Sequence, residues 1–337
     1  MKKILVTGGL GYIGSHTVVE LQNSDFEVLI IDDLSNTTMT VLDGITAITN
    51  KKPNFFKIDL KNKDAVANFF KENKVDGVIH FAASKAVGES VKQPLKYYEN
   101  NINTLIYLLQ EMEQNKVKNL IFSSSCTVYG QAKVLPITEK APIKIAASPY
   151  GNTKQIAEEI IADATKVSDL KAIALRYFNP IGGHDSILIG ELPIGEPQNL
   201  IPYITQTAAG IRKELSIFGG DYDTYDGTAV RDYIHVVDLA KAHVVALQRL
   251  FTKKQKAALE FFNIGTGKGS SVLEVIYAFE KANNKTLNYK IVSRRAGDIT
   301  AAYADTTLAN KELGWKSELT LEDALRSAWL WQEELKK

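Results

Sequence analysis

The sequence predicts an α/β protein with a doubly wound parallel sheet of the Rossmann kind, followed by a smaller C-terminal α/β substrate lobe. Three observations predict it: β-branched, apolar runs recur through the first half, helical periodicity lies between most of them, and a glycine cluster marks the first strand-to-helix turn. Strands covered on both faces read as continuous apolar runs, and alternation with helices argues for parallel pairing.

The strand-like runs fall at residues 4–7, 28–31, 55–58, 77–81, 119–123 and 172–176, with helical spacing at 15–22, 65–73 and 98–113. After the first run comes Gly8-Gly9-Leu10-Gly11-Tyr12-Ile13-Gly14. Gly8, Gly11 and Gly14 let the backbone turn tightly and approach a pyrophosphate, which rests on N–H groups at the helix start, where Tyr12 and Ile13 stand. Such a cluster alone is often only a turn. Placed between a strand and a helix at the head of a βαβ unit, it points to a dinucleotide.

The second strand ends in Asp32-Asp33, where a carboxylate can accept hydrogen bonds from both ribose hydroxyls. A 2′-phosphate would meet two negative charges there, so NAD is favoured over NADP. Asp59, ending the third strand, is either a contact to the adenine amino group or an ordinary cap for the next helix. Phe81-Ala82-Ala83-Ser84-Lys85 follows the fourth strand, and its small residues leave room for the nicotinamide half; Lys85 reaches the cofactor phosphates or is simply solvated, the former being preferred. The fifth strand delivers Ser123, Ser124 and Ser125 to the same edge.

Ser148-Pro149-Tyr150-Gly151-Asn152-Thr153-Lys154 reads as a helix start, with Ser148 as N-cap and Pro149 at the first helical position. Tyr150 and Lys154 then share one face. A phenol ordinarily loses its proton near pH ~10, and a neighbouring ammonium draws that value down, giving a general base. An isolated pair at this spacing is usually a surface tyrosine and lysine; the glycine turn and the serine-rich strand end argue for the catalytic alternative.

Beyond residue 181 the texture changes. Residues 182–202 are rich in glycine and proline without a period, and 219–227 form an acidic, glycine-flanked loop, as binding loops or lids do. We therefore divide the chain into an NAD-binding domain, 1–180, and a substrate lobe, 181–337, which includes an amphipathic tail at 321–334 and from which segments around 230–250 pack back on the first domain.

Composition sets outer bounds. A length of 337 residues suits about two domains. Forty Lys+Arg against 39 Asp+Glu, without a basic block, do not suit nucleic acid. No run approaches the ~18 apolar residues of a membrane helix, and the apolar stretch at 4–6 is too short for a signal peptide. The single cysteine, Cys126, fits a reducing cytoplasm; it is read as a small buried residue in preference to a nucleophile. The scattered histidines offer no metal-ligand spacing.

Together these motifs resemble the extended short-chain dehydrogenase/reductase family, and within it the enzymes that invert C4 of UDP-hexoses, over essentially the whole chain. His80-Phe81-Ala82, Lys85-Ala86-Val87-Gly88-Glu89-Ser90-Val91, Ser123-Ser124-Ser125-Cys126-Thr127-Val128-Tyr129-Gly130, Leu175-Arg176-Tyr177-Phe178-Asn179-Pro180 and Val230-Arg231-Asp232-Tyr233-Ile234-His235-Val236 carry the resemblance alongside the glycine and tyrosine motifs. It implies that Tyr150 takes the O4 proton, that Lys154 tunes it and binds the nicotinamide ribose, and that Ser125 bonds the same hydroxyl. Asn36, Leu60, Asn100 and Phe178 are implied as further cofactor contacts. Asn179, Asn199, Leu200, Phe218, Arg231, Tyr233, Arg295 and Asp298 are implied to hold UDP, the arginines as forked donors to a pyrophosphate and Phe218 against uracil. The implied reaction is a hydride lent to NAD and returned to the other face of a 4-keto sugar. A homodimer through helices near 98–113 and 155–165 is also implied.

In Asp298-Ile299-Thr300-Ala301-Ala302-Tyr303, Ala302 stands where members restricted to plain hexoses carry tyrosine. A small residue there implies activity on UDP-GlcNAc and UDP-GalNAc as well. The rivals are an NDP-sugar 4,6-dehydratase, for which Cys126 and Thr127 after the serine are poor acid/base groups, a uronate epimerase, and a noncatalytic NAD sensor, which would be expected to lose one of Ser125, Tyr150 or Lys154.

Overall fold

The computed structural model describes residues 1–295 and 298–336. The chain runs β1 (Lys3–Thr7), α1 (Tyr12–Asn23), β2 (Glu27–Asp32), α2 (Thr40–Thr49), β3 (Asn54–Lys57), α3 (Lys63–Glu72) and β4 (Gly77–His80). It continues through α4 (Val87–Lys92), α5 (Pro94–Gln114), β5 (Asn119–Ser123), a 3-10 turn at Cys126–Tyr129, α6 (Pro149–Val167) and β6 (Lys171–Tyr177). Then follow β7 (Asn179–Ile181), α7 (Leu200–Ala208), β8 (Leu215–Phe218), β9 (Val230–Arg231), β10 (Tyr233–His235), α8 (Val236–Phe251) and β11 (Leu259–Ile264). The last elements are β12 (Ser270–Ser271), α9 (Val272–Asn283), β13 (Tyr289–Val292), β14 (Ala301–Ala302) and α10 (Leu321–Glu334).

Seven strands form one sheet in the order β11-β6-β5-β4-β1-β2-β3, every pair parallel. The chain steps outward from β1 to β3 and then crosses back to β4 on the far side of β1. That reversal leaves a crevice beyond the C-terminal ends of β1 and β4, where ligands bind in such sheets. One face is covered by α1, α2 and α8 around Val18, Ile30, Ile45 and Leu247, the other by α3, α5 and α6 around Phe69, Leu105, Leu108 and Ile161.

The sequence pattern did not reveal β11. Its Glu260 and Asn263 interrupt the apolar run, and both acquire partners only on folding. Arg249 of α8 donates to Glu260 at 2.7 and 2.9 Å, and Asn263 accepts from the Tyr129 hydroxyl at 2.6 Å.

Three small sheets, β7 with β10, β9 between β12 and β14, and β8 with β13, accompany α7, α9 and α10 around a second core that includes Ile204, Ile217, Phe279, Leu325 and Trp329. Capping boxes start α9 (Ser271 with Glu274) and α10 (Thr320 with Asp323), each satisfying two N–H groups that would otherwise lack partners. Among the described residues no helix is long and apolar enough to cross a membrane.

Candidate active site

The glycine turn is shaped by close backbone contact. Gly8 has φ +67°, and a Cβ there would lie 2.8 Å from the Ala82 nitrogen; a Cβ on Gly14 would lie 2.2 Å from the Gly8 carbonyl oxygen. Gly11 is the N-cap of α1, which has no side-chain cap, leaving a helix start of the kind that receives a phosphate. Ile13 lies in the first turn of α1 with Tyr12, whose hydroxyl is committed to the Gly182 carbonyl at 2.6 Å, so what Tyr12 offers at the turn is its main chain.

At the end of β2 the buried Asp32 accepts from Leu10 N at 3.1 Å and Leu34 N at 3.0 Å, and burial raises its carboxyl above the usual range. Asp33 accepts from the Ser35 N–H and hydroxyl at 2.8 and 2.6 Å, and Asn36 is exposed on the same turn. The capping alternative for Asp59 is corrected. Asn62 caps α3 by accepting from Ala65 N at 3.1 Å, whereas Asp59 accepts from Lys61 N at 2.9 Å in a tight local turn. Leu60 is core.

Beyond β4, Phe81 packs on His243 with ring centroids 4.7 Å apart, and Ala82 touches the glycine turn. Lys85 is neither simply solvated nor free: its ammonium stands 3.3 Å from Glu191. Asn100 donates to the Ser84 hydroxyl at 3.3 Å, but the stronger tie is its neighbour. Asn101 accepts from Ser84 N at 2.8 Å and donates to Ser84 O and Thr153 Oγ1, both at 3.0 Å, joining this loop to α6. A polar side chain buried in mid-helix was the available signal.

Helix α6 starts as its sequence requires, with the Ser148 side chain accepting from Gly151 N and Pro149 in the first turn. Tyr150 and Lys154 are both buried, and the Ser125 hydroxyl stands near enough to the Tyr150 phenol to favour its ionised form. Ser125 Oγ also accepts from Thr127 N at 3.2 Å, which fixes it at the head of the 3-10 turn. The expected electrostatics is corrected. The Lys154 ammonium donates to the Ser123 carbonyl at 2.6 Å and lies 6.0 Å from the Tyr150 ring centroid, and burial holds the phenol well above its ordinary value. Burial also lowers Lys154 to about 8.

Across the crevice two arginines share one carboxylate. Arg231 Nη2 donates to Asp298 Oδ1 at 3.2 Å and Arg295 Nε to Asp298 Oδ2 at 3.1 Å, while the Arg295 guanidinium lies 4.7 Å from the Phe218 ring centroid. Asn179 and Tyr233 stand side by side in the β7–β10 pair. Burial pushes the Tyr233 phenol up to about 12. Asn199 precedes Leu200 at the start of α7 and donates to Glu191 Oε1 at 2.5 Å. Glu191 Oε1 thus receives both Lys85 and Asn199, a junction that no motif announced.

Ala302 pairs with Arg231 across β14 and β9, is 3% exposed, and packs in a cluster with Val128, Tyr129, Phe178 and Ala304. Cys126 borders the same cluster, and burial pushes its thiol up to about 12, which withholds the thiolate a nucleophile needs. Asp232, between Arg231 and Tyr233, is fully buried and accepts from Thr266 N (2.8 Å), Thr266 Oγ1 (2.7 Å), Gly267 N (3.1 Å) and Ala304 N (3.1 Å). It locks the strand bearing Arg231 to the strand bearing Ala302.

A glycine-lined helix start, an acidic strand end and a Ser–Tyr–Lys group at one sheet edge define a dinucleotide-dependent enzyme of the extended short-chain dehydrogenase/reductase type. A family model described as GDP-mannose 4,6 dehydratase matches residues 5–328. The UDP-glucose 4-epimerase of Haemophilus influenzae is 51% identical over 331 residues, 98% of this chain and 97% of that protein. The structure of the Stenotrophomonas maltophila UDP-glucose-4-epimerase with bound NAD and formylated UDP-arabinopyranose superposes with TM-score 0.96 at 47% identity, covering 100% of this chain and 99% of the other. That of the Bifidobacterium longum enzyme in complex with NAD+ and UDP gives 0.95 at 46%, covering 99% and 98%. The chain belongs to the UDP-glucose 4-epimerase family.

Proposed function

We propose that this protein interconverts UDP-glucose and UDP-galactose by inverting C4 of the hexose with NAD as its cofactor, and that it does the same for UDP-GlcNAc and UDP-GalNAc. The observation that carries the proposal is the Ser125–Tyr150–Lys154 group, with Tyr150 and Lys154 buried one turn apart on α6 beside the serine loop, at the sheet edge that also bears the glycine turn. The fit to NAD rests on the cradle that a Cβ at Gly14 would fill and on the paired acids Asp32 and Asp33. Gly8, Gly11, Ile13 and Gly14 would hold the pyrophosphate, Asp32 and Asp33 the adenosine ribose, and Phe81 and Ala82 the nicotinamide end. When bound, NAD+ supplies the acceptor and later donor of the C4 hydride, and a cationic ring whose field favours a phenolate.

Tyr150 takes the O4 proton and returns it, Ser125 keeps that oxygen in line, and the Lys154 ammonium opposes the penalty of ionising a buried phenol. Arg231 and Arg295 grip the diphosphate as forked donors, exchanging the Asp298 carboxylate for phosphate oxygens. Firm anchoring of UDP leaves the 4-keto hexose free to turn over between the two hydride transfers. Ala302 supports the wider specificity, since it carries a methyl beside Arg231 where members restricted to plain hexoses carry a phenol. A homodimer through the helices near residues 98–113 and 155–165, within α5 and α6, belongs to the same proposal.

Product analysis with UDP-Gal and UDP-GalNAc side by side, with and without added NAD, tests both parts. UDP-Glc and UDP-GlcNAc are the expected products; inertness toward UDP-Gal removes the epimerase proposal, and inertness toward UDP-GalNAc alone removes the wider specificity. Ala302→Tyr should lower N-acetyl turnover about 100-fold while sparing UDP-Gal, on the scale that pocket sterics reach. Intact N-acetyl activity in that variant rules Ala302 out as the determinant.

A further inference from the structure

We infer that Glu158 is a positioning residue for the Ser125–Tyr150–Lys154 group, clamping the serine loop onto α6 and supporting the Lys154 ammonium; this rests on the epimerase proposal. Glu158 lies one turn beyond Lys154, so Tyr150, Lys154 and Glu158 form a ladder on one face of the helix. Its buried carboxylate accepts from the Ser124 hydroxyl at 2.6 Å and from Arg176 Nε at 2.9 Å through Oε1, and from Arg176 Nη2 at 2.7 Å through Oε2. Ser124 sits between Ser123, whose carbonyl receives Lys154 at 2.6 Å, and Ser125, which stands near the Tyr150 phenol and favours its ionised form. One carboxylate therefore fixes the loop carrying two of the site's contacts to the helix carrying the other two. A buried ion pair adds little net stability over an apolar filling of the same volume, so placement beside the reacting group is the better account of it.

The charged and titratable groups facing this cluster come from four directions. Arg176 on β6 is paired with Glu158, and Tyr129 in the 3-10 turn accepts from Arg176 Nη1 at 3.0 Å, with Glu139 close enough to act on both. His80 on β4 faces Lys154. Burial keeps His80 neutral by lowering it to about 3 and keeps Tyr129 protonated by raising it to about 12. Lys154, lowered to about 8 by burial and drawn back up by the Glu158 charge, is left to titrate in the working range. Removing that negative charge uncovers Arg176 and makes Lys154 release its proton at lower pH.

The test is the pH profile of kcat and KM for UDP-Gal in wild-type enzyme, Glu158→Gln and Ser124→Ala, alongside thermal unfolding. Glu158→Gln should lower kcat about tenfold or more, the scale of a sub-ångström misplacement. KM should stay within about twofold because the UDP contacts lie elsewhere, and the alkaline limb should move down by about one pH unit. Ser124→Ala breaks the clamp without a change of charge and should lower kcat with the limb unmoved. A folded Glu158→Gln with wild-type kcat and limb, or with a loss confined to KM, overturns the inference. Should Glu158→Gln not fold, Ser124→Ala decides: a fall in kcat at unchanged KM upholds the clamp, and wild-type kcat overturns it. Inactivity of the wild-type protein toward UDP-Gal is a different failure, that of the epimerase proposal.

Discussion

At Tyr150 two effects of opposite sign meet. At 6.0 Å, its distance from the ring centroid, an ammonium is worth about 3 kcal/mol at an effective dielectric constant of ~20, roughly two pKa units. Burial of the phenol outweighs it, and the ammonium donates to the Ser123 carbonyl. Spacing alone could place Tyr150 and Lys154 on one face; it could not say that the lysine would bond to a carbonyl of the neighbouring strand. Tyr150→Phe should leave UDP binding within a few-fold and lower kcat about 1,000-fold, within the range of general-base catalysis. Turnover near the wild-type rate in that variant would exclude Tyr150 as the base.

Among the elements, the β1–α1 turn was the most legible, because Gly8, Gly11 and Gly14 are demanded by backbone contact and not by packing of side chains. Gly14→Ala drives a Cβ to 2.2 Å from the Gly8 carbonyl oxygen, so the turn must open. The expected result is an NAD affinity lowered about 100-fold, as a cradle displaced by an ångström loses its aligned donors. Added volume against backbone should also cost about 1–3 kcal/mol of stability. Equilibrium dialysis with NAD and a urea titration read the two effects separately; full NAD affinity in Gly14→Ala would show that the turn is not the pyrophosphate site. Strand β11 lies at the other extreme. Glu260 and Asn263 look like interruptions until α8 and the 3-10 turn supply Arg249 and Tyr129, and no local pattern encodes those partners.

The whole molecule holds all five of its histidines in low-proton environments. Burial lowers His16 and His80 to about 3, His235 and His243 to about 4, and His184 below its ordinary value. Each such folded-state value lies below the unfolded one, so the unfolded chain binds more protons and stability falls as pH drops below about 6.5. Between pH 7 and pH 5.5 the loss should be roughly 1 kcal/mol for each of His16, His80, His235 and His243. Buried carboxylates raised by desolvation, such as Asp32, Asp232 and Asp238, act in the opposite sense as they protonate, and so offset part of the loss nearer their own range. Urea midpoints measured at pH 7 and pH 5.5 should therefore differ clearly; coincident midpoints would mean that these imidazoles are not neutral in the fold.

By itself the sequence determined the parallel sheet, the glycine turn, the cap of α6 and the shared face of Tyr150 and Lys154. All of these depend on periodicity and on backbone chemistry within a few residues. Only the tertiary structure decided that Asp298 bridges two arginines, that Glu191 joins Lys85 to Asn199, and that Glu158 and Asp232 pin the elements bearing the site. The reason is physical: a polar side chain's role in the interior is set by the partners that satisfy it, and here those partners come from strands and loops far away in the chain.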